Sequence, residues 1–211
     1  MKADLAKVGL TALATLSARD CALPEGAVSL TLIGPDGPAF WPIFAASAEY
    51  KSGLPDPLDR WSARVIGGLA ATLGGAAHFP FGGPPWPPFI AWAEASGRIY
   101  GSPVGLLVHA REGMWVSFRG AIALPYPVFE EAVASPCVSC ADQPCRTACP
   151  VGALTDQGYD VPACRAHLAT EAGRACRTGC LVRRACPVGV GRRSEVQSAF
   201  HMAAFAPGLP A

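Results

Sequence analysis

Eight of the chain's nine cysteines lie between Cys137 and Cys186, and their spacing carries the chemistry. They read Cys137-x2-Cys140-x4-Cys145-x3-Cys149-Pro150, then Cys164, then Cys176-x3-Cys180-x5-Cys186-Pro187. Pro-Val-Gly follows both Cys149 and Cys186. Eight thiolates are the ligand set of two [4Fe–4S] clusters, and where two such clusters share a chain the cysteine before proline ligates the other cluster. That crossover assigns Cys137, Cys140, Cys145 and Cys186 to one cluster. It assigns Cys149, Cys164, Cys176 and Cys180 to the second, with none missing and none left over.

Two other readings use the same residues. A Cys-x2-Cys knuckle followed by further cysteines also describes structural zinc, and two four-cysteine zinc sites would consume the same eight. The two Cys-Pro pairs belong to cluster crossover rather than to zinc knuckles. Disulfides are the weaker alternative, because 211 residues can bury a sizeable core without covalent staples and a disulfide framework would spread its cysteines. The spacing departs from the simple bacterial run at Cys140-x4-Cys145 and Cys180-x5-Cys186. The first insertion, Ala141-Asp142-Gln143-Pro144, contains turn formers that bulge around a cluster without displacing its ligands. Spacing alone does not set a reduction potential.

Composition limits the partners. The chain has 17 basic and 16 acidic side chains, which argues against a strongly electrostatic partner such as a nucleic-acid duplex. Arg165, Arg174, Arg177, Arg183, Arg184, Arg192 and Arg193 are nonetheless concentrated in the last third. The favoured reading is that they balance anionic thiolate clusters and solvate the surface; the sharper one is a docking face for an acidic electron donor or for RNA. No segment approaches the ~18 apolar residues of a bilayer span. Leu5, Val8, Leu13 and Leu16 have helix-like spacing, but the first sixteen residues lack the apolar block and cleavage site of a signal peptide. Reduced cysteines and no export signal suggest the cytoplasm.

The elements that must position this chemistry divide near Pro125-Tyr126-Pro127, giving an α/β domain over residues 1–128 and an iron–sulfur domain over 129–211. In the first, residues 27–33 read as a strand ended by the turn Gly34-Pro35-Asp36-Gly37, and a helix is predicted from Phe40 to Tyr50. Asp56 or Asp59 begins a longer helix to Leu73, with Trp61, Val65, Ile66 and Leu69 on one stripe and Gly74-Gly75 past its end. Residues 104–109 and 114–124 read as a hairpin turning at Arg111-Glu112-Gly113. The apolar, proline-rich run Phe79 to Phe89 reads as an ordered loop covering the core or a flat ligand. No phosphate-binding glycine motif or nucleophile triad is present. His109 closes a predicted strand beside the turn, and His167, three residues after a cluster ligand, is placed to tune the second cluster.

The cysteine-bearing third resembles the ferredoxin-like half of the epoxyqueuosine reductase family and of the related corrinoid reductive dehalogenases. The resemblance rests on Cys164-Arg165-Ala166-His167-Leu168-Ala169-Thr170-Glu171, Gly179-Cys180 and Cys186-Pro187 as well as on the cysteine count. The segments Ser102 to His109, Gly113-Met114-Trp115, Phe118-Arg119-Gly120-Ala121 and Leu124-Pro125 are similar to the nitroreductase-like α/β domain that these enzymes share with CblC-type cobalamin chaperones. This resemblance implies corrinoid binding, with His109, Trp115 and Arg119, together with Phe81 and Trp86 of the apolar loop, as cofactor contacts. Asp56, Asp59 and Glu94 are the carboxylates on offer for a general acid.

The expectation is an α+β protein that pairs a small nitroreductase-like (CblC-like) domain with a ferredoxin-like domain carrying two [4Fe–4S] clusters. It would pass single electrons between a redox partner protein and an acceptor at the N-terminal domain. The alternatives are a corrinoid-dependent reductase or cobalamin-reducing protein, and a non-redox structural or sensing iron–sulfur protein. No membrane or nucleic-acid partner is expected.

Overall fold

The computed structural model describes residues 1–208. Its earlier elements are α1 (Lys2–Lys7), β1 (Leu10–Ser17), β2 (Ser29–Pro35), α2 (Gly37–Ala45), α3 (Ala48–Lys51), α4 (Pro57–Thr72), β3 (Ala76–His78), α5 (Phe89–Ala95) and β4 (Ile99–Gly101). There follow β5 (Leu107–His109), β6 (Gly120–Leu124), β7 (Leu154–Thr155), β8 (Gly158–Tyr159), α6 (Val161–Leu168), α7 (Arg174–Arg177), α8 (Leu181–Ala185) and α9 (Glu195–Phe205). The chain therefore mixes helix and strand, as expected. It forms two compact units: Met1–Tyr100 with Val116–Ala134, and Gly101–Trp115 with the residues from Ser135 onward. The single cut after residue 128 expected from the sequence misses this arrangement, because residues 101–115 belong with the cysteines.

The first unit is built on an antiparallel sheet of order β1-β2-β6-β3. Its central strands β2 and β6 are buried at every position, which explains why Gly120-Ala121-Ile122-Ala123-Leu124 is a continuous apolar run rather than an alternating one. Across β1 and β2 the Thr15 and Thr31 hydroxyls pair at 3.2 Å, so each buried polar group has a partner. Helix α4 buries Leu58, Trp61, Ser62, Ile66 and Ala70, residues at three- and four-residue intervals on one face. Trp61 meets Phe40 and Phe44 edge-on at 5.5 and 5.8 Å, and those two rings stack at 5.7 Å.

Three expectations need correction. The helix-like spacing of the first sixteen residues is divided between α1 and β1. Gly9 makes the change of direction at φ +70, and a Cβ there would lie 2.8 Å from Phe40 Cα. The predicted helix from Phe40 to Tyr50 is interrupted, since Ser47 Oγ accepts the Tyr50 N–H and starts α3 afresh. The predicted hairpin does not form. After β5 the chain turns tightly, with His109 and Gly113 exchanging backbone hydrogen bonds of 3.0 and 2.9 Å, and β6 pairs with β2 and β3. A strand buried on both faces needs two neighbours, and the nearest strand in sequence supplies neither.

Candidate metal centre

The second unit is made of short elements, and the cysteines stand at their ends. Cys137 and Cys140 sit in a turn closed by the Cys140 N–H on Cys137 O, and Cys145 lies in a 3₁₀ turn over Pro144–Arg146. Just before it, Gln143 takes a left-handed conformation at φ 39. Cys186 ends α8 in an extended conformation that turns it away from the helix path. These four cysteines line one cavity together with Pro103, Val108, Met114, Pro144, Pro187 and Val188. The cavity encloses about 330 Å³, part of it open to solvent.

The remaining four form a second group. Cys149 heads a turn in which the Ala153 N–H donates to its Sγ at 3.2 Å and the Gly152 N–H to its carbonyl. Cys164 is carried by α6, whose N-terminus is capped by Asp160 Oδ1 on the Ala163 N–H at 2.9 Å. Cys176 lies on α7, and Cys180 immediately precedes α8. Cys164 and Cys176 pack with Leu168, Leu181, Met202, Phe205 and Ala206.

Electrostatics divides the thiols in the same way. Burial pushes the Cys145 thiol up, and Cys137, Cys140 and Cys186 push it further. Cys137 is likewise raised by burial and then by Cys186 and Cys140, against a lowering hydrogen bond with Ser135. In the other group burial raises Cys176, and Cys180, Cys164 and Cys149 add to it; Cys164 is raised by burial and by Cys180 and Cys149. Cys137 and Cys145 are thus raised by cysteines around one cavity, and Cys164 and Cys176 by Cys149 and Cys180. All nine cysteines are free of disulfides, including half-buried Cys21.

Among the described residues, no group of three or more His, Cys, Asp or Glu side chains is disposed to hold a metal ion. Around a zinc ion four sulfurs crowd to ~2.3 Å from one centre. On a four-iron cluster each thiolate takes its own iron, and the sulfurs stand farther apart. Two all-cysteine sets, partly buried and with backbone and hydroxyl donors near their sulfurs, have a donor chemistry that suits either one.

Residues 101–115 frame the first set, which the sequence did not suggest. Gly113 has φ +56, and a Cβ there would run into Val188 O; a Cβ on Gly189 would run into Glu112 O. Two backbones thus cross in contact immediately after the Cys186-Pro187 pair. Glu112, buried beside this crossing, is held by Arg192 at 2.7 and 2.8 Å and by Arg111 at 2.9 Å. Arg183 donates to Met114 O. The signals for this frame were the two glycines and an acidic residue next to one of them. They were legible as a turn, but the residues they meet across the crossing lie 75 or more positions away.

The suggested corrinoid contacts are distributed between the units. Phe81, Trp86 and Arg119 belong to the first, and His109 and Trp115 to the second. His109 is buried, and its Nδ1 accepts the Arg111 and Glu112 N–H groups at 3.1 Å each, so it organises the turn. Trp115 lies under the Arg193 guanidinium at 5.4 Å. Arg119 is 3.5 Å from Asp59, whose carboxyl burial pushes up while Arg119 pulls it down. Phe81 stacks on Phe79 at 5.0 Å. Trp86 is 60% exposed in the irregular loop before α5. His167, suggested as a tuning residue, has its Nε2 buried without a hydrogen-bond partner among the described residues.

No protein-family model, no curated protein and no solved structure matches this chain. No helix among the described residues is long and apolar enough to cross a membrane.

Proposed function

We propose that the protein is an electron-transfer protein carrying two [4Fe–4S] clusters, one held by Cys137, Cys140, Cys145 and Cys186 and the other by Cys149, Cys164, Cys176 and Cys180. It passes single electrons to an acceptor held or docked at the N-terminal unit. The observation that carries this reading is the gathering of eight sequence-separated cysteines into two sets of four, with Cys149 and Cys186 exchanged between the sequence runs in which they lie. The finer fold assignments, ferredoxin-like for the cysteine-bearing part and nitroreductase-like for the sheet, belong to the same proposal and rest on the sequence resemblance.

When bound, each cluster supplies a one-electron couple. The chain's own part is ligation, exclusion of water and placement of charge. Pro103, Val108, Met114 and Val188 give the first set an apolar surround. The Glu112–Arg192 pair and the Gly113–Gly189 crossing hold that surround against the loop carrying Cys186. Around the second set, Ala153 N–H and the Tyr159 hydroxyl donate to the Cys149 and Cys164 sulfurs.

Anaerobic reconstitution followed by iron, sulfide and zinc analysis tests the reading. Eight iron and eight sulfide per chain are expected, with a paramagnetic signal that appears on dithionite reduction and disappears on reoxidation. Two zinc per chain and no redox signal would overturn it.

A further inference from the structure

Helix α9 is fastened beside three of the four cysteines of the second set. Next to Cys164, the Arg165 guanidinium donates twice to the Phe205 carbonyl, at 3.1 and 2.8 Å, and lies 5.0 Å from the centre of the Phe205 ring. The Tyr159 ring stacks on Phe205 at 6.1 Å. Cys176 is buried with Leu168 and Ala206, and Cys164, Leu181, Met202 and Phe205 pack against them. Just before Cys180, Gly179 has φ +138, and a Cβ there would stand 3.2 Å from the Ser198 side chain. At the other end of the helix, Arg184 joins Glu195 at 3.3 Å to the Thr178 carbonyl at 2.6 Å.

The first set has a different surround. Among the described residues, none beyond Val188 lines its cavity. Its wall comes from residues 101–115 and from the turns that carry its own cysteines. A helix as short as α9 does not hold its shape alone, so α9 stays in place through the contacts just described. The largest of them is the Phe205 side chain, partly buried against the Cys176 core and clasped by Arg165.

On the cluster reading just proposed, we infer that α9 is the strap that retains the second cluster, with Phe205 and Arg165 as the positioning residues that fasten it. Iron leaves such a site when the chain opens locally, and the rate follows the free energy of that opening. Loosening the clasp therefore exposes the second set and leaves the first as it was.

The test is anaerobic iron release to a chelator from the reconstituted full chain, for the natural sequence, Phe205→Ala, Phe205→Tyr, Arg165→Met and Cys149→Ala. The Cys149→Ala chain keeps the first set alone, so its rate marks that set. Phe205→Ala should release four of eight iron roughly tenfold faster, the other four leaving at the Cys149→Ala rate. Arg165→Met should speed the same four by roughly threefold, and Phe205→Tyr, which keeps the ring, should restore the natural rate. If Phe205→Ala takes up no iron, Arg165→Met decides alone. Equal acceleration of all eight iron, acceleration of none, or a Phe205→Ala effect repeated in the Cys149→Ala background would overturn the inference. A natural chain that takes up no iron would overturn the cluster reading itself.

Discussion

In the sheet unit, Phe40, Phe44, Trp61, Leu30, Leu32, Ile33 and Ile66 are fully or almost fully buried, and the Thr15, Thr31 and Ser62 hydroxyls are hydrogen-bonded within the sheet and helix. Around the second cysteine set the core consists of Leu168, Cys176 and Ala206 with a few partly buried neighbours. One unit is held by apolar burial and aromatic packing. The other is a series of short helices, none longer than α9, linked by arginine–carbonyl hydrogen bonds and carrying eight free thiols. Helices this short are unstable alone, so they depend on tertiary contacts and on whatever ties the cysteines together.

On the proposed cluster reading, that contrast is broken most sharply by removing iron from the reconstituted protein. Structural metal sites contribute on the order of 10 kcal/mol to the folding of the segments that bind them. On chelation, amides of α6 and α8 should lose hydrogen-exchange protection while those of β1, β2 and β6 keep it. Equal loss in both units would mean that the sheet unit also depends on the clusters. The converse perturbation is Trp61→Ala, expected to cost about 3–5 kcal/mol in the sheet unit, read by denaturant unfolding, with iron content per folded chain unchanged. Glu112→Ala tests the frame around the first set. Leaving the Arg192 guanidinium without its buried partner should cost a similar ~3–5 kcal/mol and lower iron retention at the first set alone, with Glu112→Gln milder.

The smallest effect belongs to an exposed pair. Arg64 holds the Glu49 carboxyl down to about 2 by a side-chain hydrogen bond, below the unfolded value of ~4.3. A lowered carboxyl stabilises the fold above the unfolded value, and that contribution is lost as pH falls toward 2. Because Arg64 is largely solvent-exposed, Arg64→Ala should cost less than ~1 kcal/mol. It should make stability fall less steeply between pH ~4 and 2, so that the variant differs from the natural chain at neutral pH and converges with it in acid.

The same contrast explains what the sequence disclosed. Helix α4 was legible because its buried face repeats at helical intervals between Pro57 and Gly74, although the buried positions include Leu58, Ser62 and Ala70 rather than Val65 and Leu69. Strand β2 was legible as an apolar run ending at a turn. Strand β1 was not, because Leu5, Val8, Leu13 and Leu16 fit a helical period and only the left-handed Gly9 divides them. The pairing of β6 escaped because an antiparallel neighbour can lie far away in sequence. The proposed cysteine grouping comes from the ligand count and the Cys-Pro pairs, which are local features of the sequence. The surround was not legible: Glu112 with Arg192, and Arg183 with Met114 O, are long-range contacts between residue types common on any surface.

The most direct measurement is the iron count of Cys149→Ala against the natural chain after identical anaerobic reconstitution. Crossed ligation by two independently loaded sets predicts a fall from eight iron to four, with the signal of the remaining cluster unchanged. Iron content unaffected by the substitution would contradict the assignment of Cys149 to the second set.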